Sequence, residues 1–181
     1  FHDLRRESVD YINSLELDGV AIGGEIIGFD MQGTKEVLAN LQEYLPRQKP
    51  RYSMGVGMSP QDLLDVVAVG VDMFDCVAPT RNARHGALYC GELVADGKWL
   101  QFASEHKNQR IQIKNAHYAY DNGPIMDSCT CYTCNNFSRA YLHNSFKQKN
   151  NMFTALASIH NLHVLHAVCG KMRDLIKKEQ K

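Results

Sequence analysis

Residues 52–60 read Tyr52-Ser53-Met54-Gly55-Val56-Gly57-Met58-Ser59-Pro60, and this stretch decides the fold. Its first six residues form a short apolar segment that ends in glycines, as a strand running into a loop does. Serine before proline then predicts the first turn of a helix, which Gly70 ends. Residues 71–75 form the next apolar segment. Because strands and helices alternate, the sequence predicts an α/β fold with parallel strands and right-handed crossovers.

The residues upstream continue this alternation. We expect a helix over residues 4–17, a strand over 20–22 that ends in Gly23-Gly24, and a helix from an N-cap at Thr34 to about Tyr44. In α/β folds the loops after the carboxyl ends of the strands build the active site. The glycines after two strands and the aspartate that ends the third therefore mark the candidate site.

Asp75 is the candidate site carboxylate. It ends a strand that we expect to be buried, on the face opposite Asp72. An ionised carboxylate in such a place is costly unless it is paired or functional. Arg81 and Arg84 follow closely, and nearby cations keep a carboxylate anionic, as a nucleophile requires. A structural Asp–Arg pair fits these residues equally well.

The pattern changes after about residue 86. Short β-like segments are predicted at 87–90, 99–103 and 111–113, and two helices at 137–148 and 152–178.

Three cysteines, Cys129, Cys131 and Cys134, lie within six residues. Their spacing is typical of zinc ligands, and one ligand from a later helix would complete a tetrahedral shell. The histidines that follow on the long helix are His160, His163 and His166. Spacing alone does not decide among them. Disulfide-bonded or merely buried thiols are the alternative, but no secretory signal accompanies them.

Composition excludes several classes of protein. The 181 residues are 44% hydrophobic and 22% charged, which is ordinary for a globular domain. Lys plus Arg and Asp plus Glu both number 20, so any contact with nucleic acid must come from local patches. No apolar run reaches membrane-spanning length and no signal peptide is recognised, so we expect a cytoplasmic protein without membrane contact.

Several motifs occur in a fixed order over nearly the whole chain. They are Arg5-Arg6-Glu7-Ser8, Ile22-Gly23-Gly24, residues 52–57, residues 70–84, Cys129-x-Cys131-x2-Cys134, residues 138–143 and His160-Asn161-Leu162-His163. Together they resemble the C-terminal half of the catalytic subunit in the tRNA-guanine transglycosylase (queuine tRNA-ribosyltransferase) family.

The resemblance implies the C-terminal portion of an irregular (β/α)8 TIM barrel with an inserted zinc-binding subdomain. Residues 1–86 would supply three strand–helix units of the barrel. Residues 87–136 would form the β-rich insertion with the cysteine cluster, and residues 137–181 the C-terminal helices with the zinc-ligand histidine.

The resemblance also implies a reaction of queuosine biosynthesis. Such an enzyme exchanges guanine at the wobble position of a tRNA with a G-U-N anticodon for a 7-deazaguanine, queuine or preQ1, through a covalent Asp–ribose intermediate. Asp75 matches the nucleophile. The other matched positions are Gly24, Met54 and Gly55 for base binding, Arg81 and Arg84 for tRNA binding, and Cys129, Cys131, Cys134 and His160 for a structural Zn²⁺.

Two segments depart from the family pattern. Glu25 stands where the family usually has leucine, so it either contacts the base, for example the amine of preQ1, or points to solvent. Residues 90–109 form an additional hairpin in which Trp99 and neighbouring cations either contact RNA or belong to a surface elaboration.

We expect these residues alone to be inactive, because a barrel needs its N-terminal half, in cis or as a partner. A homodimer is expected and a heterodimer is the alternative. A non-catalytic tRNA-binding accessory subunit is another reading, although the retained nucleophile motif argues against it. A third interpretation is a family relative that modifies another tRNA position or DNA.

Overall fold

The computed structural model describes residues 1–24, 27–28 and 30–179. The helices are α1 (His2–Ser14), α2 (Met31–Leu41), α3 (Pro60–Ala68), α4 (Ala78–Arg84), α5 (Tyr132–Asn136), α6 (Arg139–Lys147) and α7 (Asn151–Glu179). The strands are β1 (Val20–Ile22), β2 (Arg51–Met54), β3 (Met73–Asp75), β4 (Ala87–Tyr89), β5 (Glu92–Asp96), β6 (Trp99–Ala103) and β7 (Arg110–Gln112). Short 3-10 helices cover Lys107–Gln109 and Ala116–Tyr120.

The chain divides into two compact units. The N-terminal unit contains residues 1–58 and 62–76, and the C-terminal unit contains residues 59–61 and those from Val77 onward. The mixture of helices and strands agrees with the predicted α/β class.

A parallel sheet in the order β1-β2-β3 forms the centre of the N-terminal unit. Its two faces differ, because successive side chains of a strand point to opposite sides. One face is buried and carries Val20, Ile22 and Ser53. The other face is open among the described residues, with Met54 62% and Met73 56% exposed.

Helix α2 begins earlier than its sequence predicted. The Asp30 carboxylate caps it by accepting hydrogen bonds from the backbone N–H groups of Gln32 and Gly33. The predicted N-cap at Thr34 is wrong, because this buried residue lies inside the first turn and its hydroxyl donates to the Asp30 carbonyl at 2.7 Å. An aspartate cap satisfies the free amide groups of the helix one turn before the threonine is reached.

The buried guanidinium of Arg51 holds the ends of two helices together. It donates to the carbonyl of Leu45, which follows α2, at 3.0 Å and to the carbonyl of Gly70, which follows α3, at 3.5 Å. Its own backbone N–H donates to the Asp72 carboxylate at 2.9 Å. Buried backbone carbonyls need hydrogen-bond donors, and this cation supplies them in the turns that follow the two helices.

The C-terminal unit contains two antiparallel pairs, β4 with β7 and β5 with β6. The predicted segments at 87–90, 99–103 and 111–113 correspond to β4, β6 and β7, and the expected hairpin within 90–109 is the β5–β6 pair. The helices predicted at 137–148 and 152–178 are α6 and α7 with ends shifted by one or two residues. Helices α4 and α5 have too few residues for their periodicity to be recognised.

Helix α7 provides the main packing surface of this unit and contacts α4, α5 and β4. Its buried side chains recur at helical spacing and are Phe153, Leu156, Ala157, His160, Asn161, Val164, Val168 and Met172. Two polar residues therefore occupy positions on an otherwise apolar stripe.

The expectation that no apolar run reaches membrane-spanning length is wrong for α7. An 18-residue window within Asn151–Lys178 reaches a mean hydropathy of 1.2, so this helix has the length and composition of a membrane span, and it alone does so in the described ranges. Its buried stripe raises the mean hydropathy, and 39% of the relevant window is buried within the protein. The same length and composition occur in the core helices of globular proteins.

Candidate metal centre and active site

The three cysteines and one histidine form a compact buried cluster. Cys131 is the N-cap of α5, and its Sγ accepts a hydrogen bond from the Cys134 backbone N–H at 3.3 Å. One turn of helix thus brings Cys134 beside Cys131. The Nδ1 atom of His160 lies 3.7, 3.6 and 3.4 Å from the Sγ atoms of Cys129, Cys131 and Cys134. All four candidate ligand atoms lie within 4.8 Å of one another.

These distances fit a zinc ion. Tetrahedral zinc with bonds of about 2.3 Å to sulfur and about 2.0 Å to nitrogen places sulfur and nitrogen about 3.5 Å apart. The Nε2 of His160 is directed at the Tyr89 carbonyl, 2.8 Å away, so in the neutral imidazole Nε2 carries the proton and Nδ1 the lone pair that faces the sulfurs. The chemistry of the donor set and its spacing therefore suit zinc.

The structure decides among the three histidines that spacing left open. His160 is fully buried in the cluster. His163 is half-buried, with Nε2 3.5 Å from the Thr130 hydroxyl, and His166 is exposed. In the part of the chain that the structure describes, His160 is the histidine that reaches the cysteines.

The pKa values of the cysteines in the cluster are shifted in opposite directions. Hydrogen bonds from the Cys129 and Cys134 thiols lower the pKa of Cys131, whereas the same crowding of sulfurs raises the pKa of Cys134. Burial disfavours a charged His160, but hydrogen bonds to Cys129 and Cys131 outweigh it and raise the pKa of His160 to about 9. Crowded thiols cannot all become thiolates without a cation, and a divalent ion supplies that charge.

A closed cluster of this kind suits a structural metal. Three sulfurs and one imidazole fill the four positions of a tetrahedral ion and leave none for substrate or water. Cys129, Cys131, Cys134 and His160 would hold the ion, and its contribution is to fix the Cys129–Cys134 segment to α7.

Asp75 lies in different surroundings, at the carboxyl end of β3, where its side chain is exposed. The prediction of a buried strand end is therefore wrong. The cause is the open face of the sheet, on which Met73 and Asp75 both lie. Asp72 is exposed, and its carboxylate accepts a hydrogen bond from the Arg51 backbone N–H.

Tyr52 is the partner that sequence reasoning missed. Its hydroxyl donates to Oδ1 of Asp75 at 2.5 Å, and this hydrogen bond raises the pKa of Tyr52. The parallel register pairs Met54 with Asp75, and Tyr52 shares a face with Met54 because it lies two residues earlier. Strand alternation together with this register would have revealed the pair.

Glycines bring backbone close to this edge of the sheet. Gly28, at φ +80°, lies against the Gly55 carbonyl, where a Cβ would come within 2.2 Å of the oxygen. Gly24, at φ +135°, faces the Arg5 guanidinium, which also donates to the Gly23 carbonyl at 3.1 Å. The positive φ favours glycine at both positions, and at Gly28 the neighbouring backbone carbonyl also leaves no room for a Cβ. Glu25 lies outside the described residues.

The sequence matches the family model described as Queuine tRNA-ribosyltransferase over residues 1–180. The chain belongs to this family.

Curated relatives agree over most of the chain. A queuine tRNA-ribosyltransferase of Dechloromonas aromatica is 44% identical over 177 residues, 98% of this chain and 43% of the relative. Another from Helicobacter acinonychis is 44% identical over 163 residues, 90% of this chain and 39% of the relative. One from Psychrobacter is 41% identical over 180 residues, 99% of this chain and 44% of the relative. The chain thus spans about two fifths of the length of these relatives.

Membership of the queuine tRNA-ribosyltransferase family confirms the resemblance seen in the motifs. Within the N-terminal unit, Met54 and Asp75 are register partners in adjacent strands, and Gly55 directly follows Met54. Arg81 and Arg84 belong to the C-terminal unit, where both are exposed in the last turn of α4. The four candidate metal ligands are brought together as a group.

Proposed function

We propose that this chain is the catalytic portion of a tRNA-guanine transglycosylase. The enzyme exchanges guanine at the wobble position of a tRNA with a G-U-N anticodon for a 7-deazaguanine such as queuine or preQ1. The observation that carries this proposal is Asp75, an exposed carboxylate at the carboxyl end of a parallel strand and hydrogen-bonded to Tyr52. Family membership supplies the reaction class, and the carboxylate supplies a nucleophile for it.

In the proposed first step an oxygen of Asp75 attacks C1′ of the wobble ribose. The new bond joins this oxygen to C1′, while the glycosidic bond breaks and its electron pair leaves with guanine, which takes up a proton. In the second step the ring nitrogen of the incoming base loses a proton and attacks C1′, which releases the carboxylate. This double displacement resembles that of retaining glycosidases, in which a carboxylate meets an oxocarbenium-like carbon.

Tyr52 prepares Asp75 for attack in this scheme. Its hydroxyl donates to Oδ1 and so restricts rotation of the carboxylate, while Oδ2 takes no part in this bond. A nucleophile held in one orientation loses less entropy on reaching the transition state.

The residues around Asp75 would receive the base. Met54 is exposed beside it and offers an apolar wall, while Gly24 and Gly55 offer backbone groups. Glu25 would select among 7-deazaguanines if it faces the base. Arg81 and Arg84 would contact the phosphates or bases next to the wobble nucleotide, as exposed guanidinium groups do.

The proposed architecture is the C-terminal portion of a (β/α)8 barrel. Residues 1–86 contribute barrel units, residues 87–136 the insertion with the cysteines, and residues 137–181 the helices with His160, around a structural Zn²⁺. The open face of the β1–β3 sheet supports a requirement for the N-terminal half of the barrel. We propose a homodimer as the working unit, with a heterodimer as the alternative.

The test uses the full-length protein and tRNA that carries labelled guanine at the wobble position. Asp75→Asn should reduce release of the label by at least about 10⁴-fold, as loss of a catalytic nucleophile does. The wild type should form a tRNA adduct that survives denaturation, and Asp75→Asn should form none.

Asp72→Asn is the matched control, since it removes a carboxylate three residues away and should leave exchange near the wild-type rate. Full exchange by Asp75→Asn would show that another group is the nucleophile. Absence of exchange in the wild type, with tRNA binding retained, would favour the accessory-subunit reading.

A further inference from the structure

Asn161 is a fully buried amide on the apolar stripe of α7, next to the candidate metal ligand His160. Its Oδ1 accepts a hydrogen bond from the Tyr89 backbone N–H at 3.0 Å. Its Nδ2 donates to the carbonyls of Pro79 and Ala87 at 2.9 and 3.0 Å. Both donors and the acceptor of the amide are therefore used, which fixes its orientation.

These three bonds connect separate parts of the C-terminal unit. Pro79 lies in the first turn of α4, and Ala87 and Tyr89 are the two ends of β4. The partners are 72 to 82 residues away from Asn161 in sequence. One side chain of α7 therefore hydrogen-bonds to both α4 and β4.

The metal cluster is tied to the same strand. His160 donates to the Tyr89 carbonyl at 2.8 Å, while Asn161 accepts from the Tyr89 N–H. Both backbone polar groups of Tyr89 are thus held by adjacent residues of α7. From the cluster, the contacts run through His160, Tyr89 and Asn161 to the beginning of α4.

Helix α4 is short and carries two exposed arginines, so its position has functional consequences. Arg81 and Arg84 lie on its exposed side, while Pro79 and Asn82 are buried. A helix of seven residues has little stability of its own and depends on such tertiary contacts. A shift of its first turn moves both guanidinium groups together.

We propose that Asn161 is a positioning residue for tRNA binding: through the Pro79 carbonyl it places α4 so that Arg81 and Arg84 contact RNA phosphates. This inference rests on the proposed function, because it assigns those arginines to tRNA. Asn161 itself touches neither the RNA nor the reacting atoms.

The informative substitution is Asn161→Asp. Aspartate keeps an acceptor for the Tyr89 N–H but places a carboxylate oxygen against the Pro79 and Ala87 carbonyls. The repulsion should displace the start of α4 while leaving the cysteines unchanged. Asn151→Asp is the matched control, since it makes the same change at an exposed position at the beginning of α7.

The experiment measures the dissociation constant of the full-length protein for tRNA over a series of salt concentrations. Asn161→Asp should bind tRNA about tenfold more weakly at low salt. The magnitude of its slope of log K against log salt should be lower by between about one and two, because two phosphate contacts are lost. Asn151→Asp should match the wild type in both quantities. Zinc content should be equal in all three proteins.

A double-mutant cycle with Arg81→Gln/Arg84→Gln provides the decisive comparison. If Asn161 acts through these arginines, adding Asn161→Asp to the double arginine variant should weaken binding by less than about twofold. Additive losses, or a wild-type salt slope in Asn161→Asp, would overturn the proposal, since a lower yield of folded protein leaves the slope unchanged.

A second variant covers the case in which aspartate prevents folding. Asn161→Ser is neutral and shorter, and it should give the same direction of change in slope with a smaller loss of affinity. Failure of the wild type to bind tRNA would overturn both this inference and the proposed function. Wild-type binding with an additive cycle would overturn this inference alone.

Discussion

The polar side chains are exposed at the sheet edge around Asp75 and buried in the cysteine cluster. In the cluster, His160 is 0% exposed and each ligand atom faces the others. At the sheet edge, Asp75 is exposed, its neighbour Met54 is 62% exposed, and one hydrogen bond to Tyr52 holds the carboxylate.

This difference in exposure distinguishes what a structural metal site needs from what a nucleophile needs. A metal site whose ligands saturate one another gains stability from being dry and closed. A nucleophile must keep an unshared electron pair directed toward a ligand that has yet to arrive. The spacing of the cysteines makes them prominent in the sequence, but under the proposed function the less conspicuous aspartate is the reactive group.

Loss of a metal ligand should have the largest effect on the protein. Cys134→Ser replaces a thiolate by a poor zinc ligand, so zinc content should fall from about one ion per chain to near zero. Because structural zinc contributes on the order of 10 kcal/mol to folding of its domain, the C-terminal unit should become sensitive to proteolysis. Metal analysis and limited proteolysis measure the two effects.

Cys169→Ser is the matched control, since this half-buried thiol lies on α7 and takes no part in the cluster. It should keep its zinc and its resistance to protease. A Cys134→Ser protein that retains full zinc content and protease resistance would contradict a structural metal at this position.

A smaller effect is expected when the buried cation of the N-terminal unit is removed. Arg51→Met should lower the free energy of unfolding by about 1–3 kcal/mol, because the carbonyls of Leu45 and Gly70 lose a donor. Urea denaturation measures this loss, and the exposed Arg47→Met should change stability by less than about 0.5 kcal/mol. Equal stability of the two variants would show that those carbonyls have other partners.

Tyr52→Phe should reduce the rate of exchange rather than stability. Removing the hydroxyl frees the Asp75 carboxylate to rotate, and we expect kcat to fall about tenfold, the usual size for one hydrogen bond to a charged group. The KM for tRNA should change little, because Tyr52 contacts the nucleophile. A fall in tRNA affinity at constant kcat would argue against this role.

The hydrogen bond between Tyr52 and Asp75 depends on pH. The hydrogen bond to Asp75 raises the pKa of Tyr52 above its ordinary value of 10, so the bond is present below pH 10 and is lost as the pH rises through the raised value. In Asp75→Asn the pKa of Tyr52 should return toward 10. The pKa of Tyr52 is measured by ultraviolet titration of the wild type and of Asp75→Asn, after the titration curve of Tyr52→Phe is subtracted from each. Identical difference curves for the two proteins would contradict a direct hydrogen bond.

The features that depend on local residue spacing were predicted from the sequence. The Cys129–Cys134 segment, the strand that contains Tyr52 and the helix beginning at Pro60 follow from turn residues and ligand spacing. The choice of His160 over His163 and the contacts of Asn161 depend on which face of α7 packs on β4. That information comes from residues about seventy positions away, although two polar residues on an apolar stripe were a signal.

Two predictions were wrong because the sequence was read locally. Thr34 has the chemistry of an N-cap, but Asp30 reaches the free amide groups first. Asp75 follows apolar residues and was therefore expected to be buried, yet burial of a strand depends on what covers each face of its sheet. Strand alternation identifies which residues share a face, and it does not indicate whether that face is covered.

The smallest expected effect is that of Asp75→Asn on stability, and it gives the sharpest contrast with the cysteines. Asp75 is exposed and makes no ion pair among the described residues, so its amide isostere should shift the melting temperature by less than about 2 °C. Thermal unfolding beside Asp72→Asn, which weakens a bond to the Arg51 backbone, provides the comparison. If Asp75→Asn were the more destabilised of the two, the carboxylate would serve the fold, and the division between a supporting cluster and a reactive edge would fail at the residue that defines it.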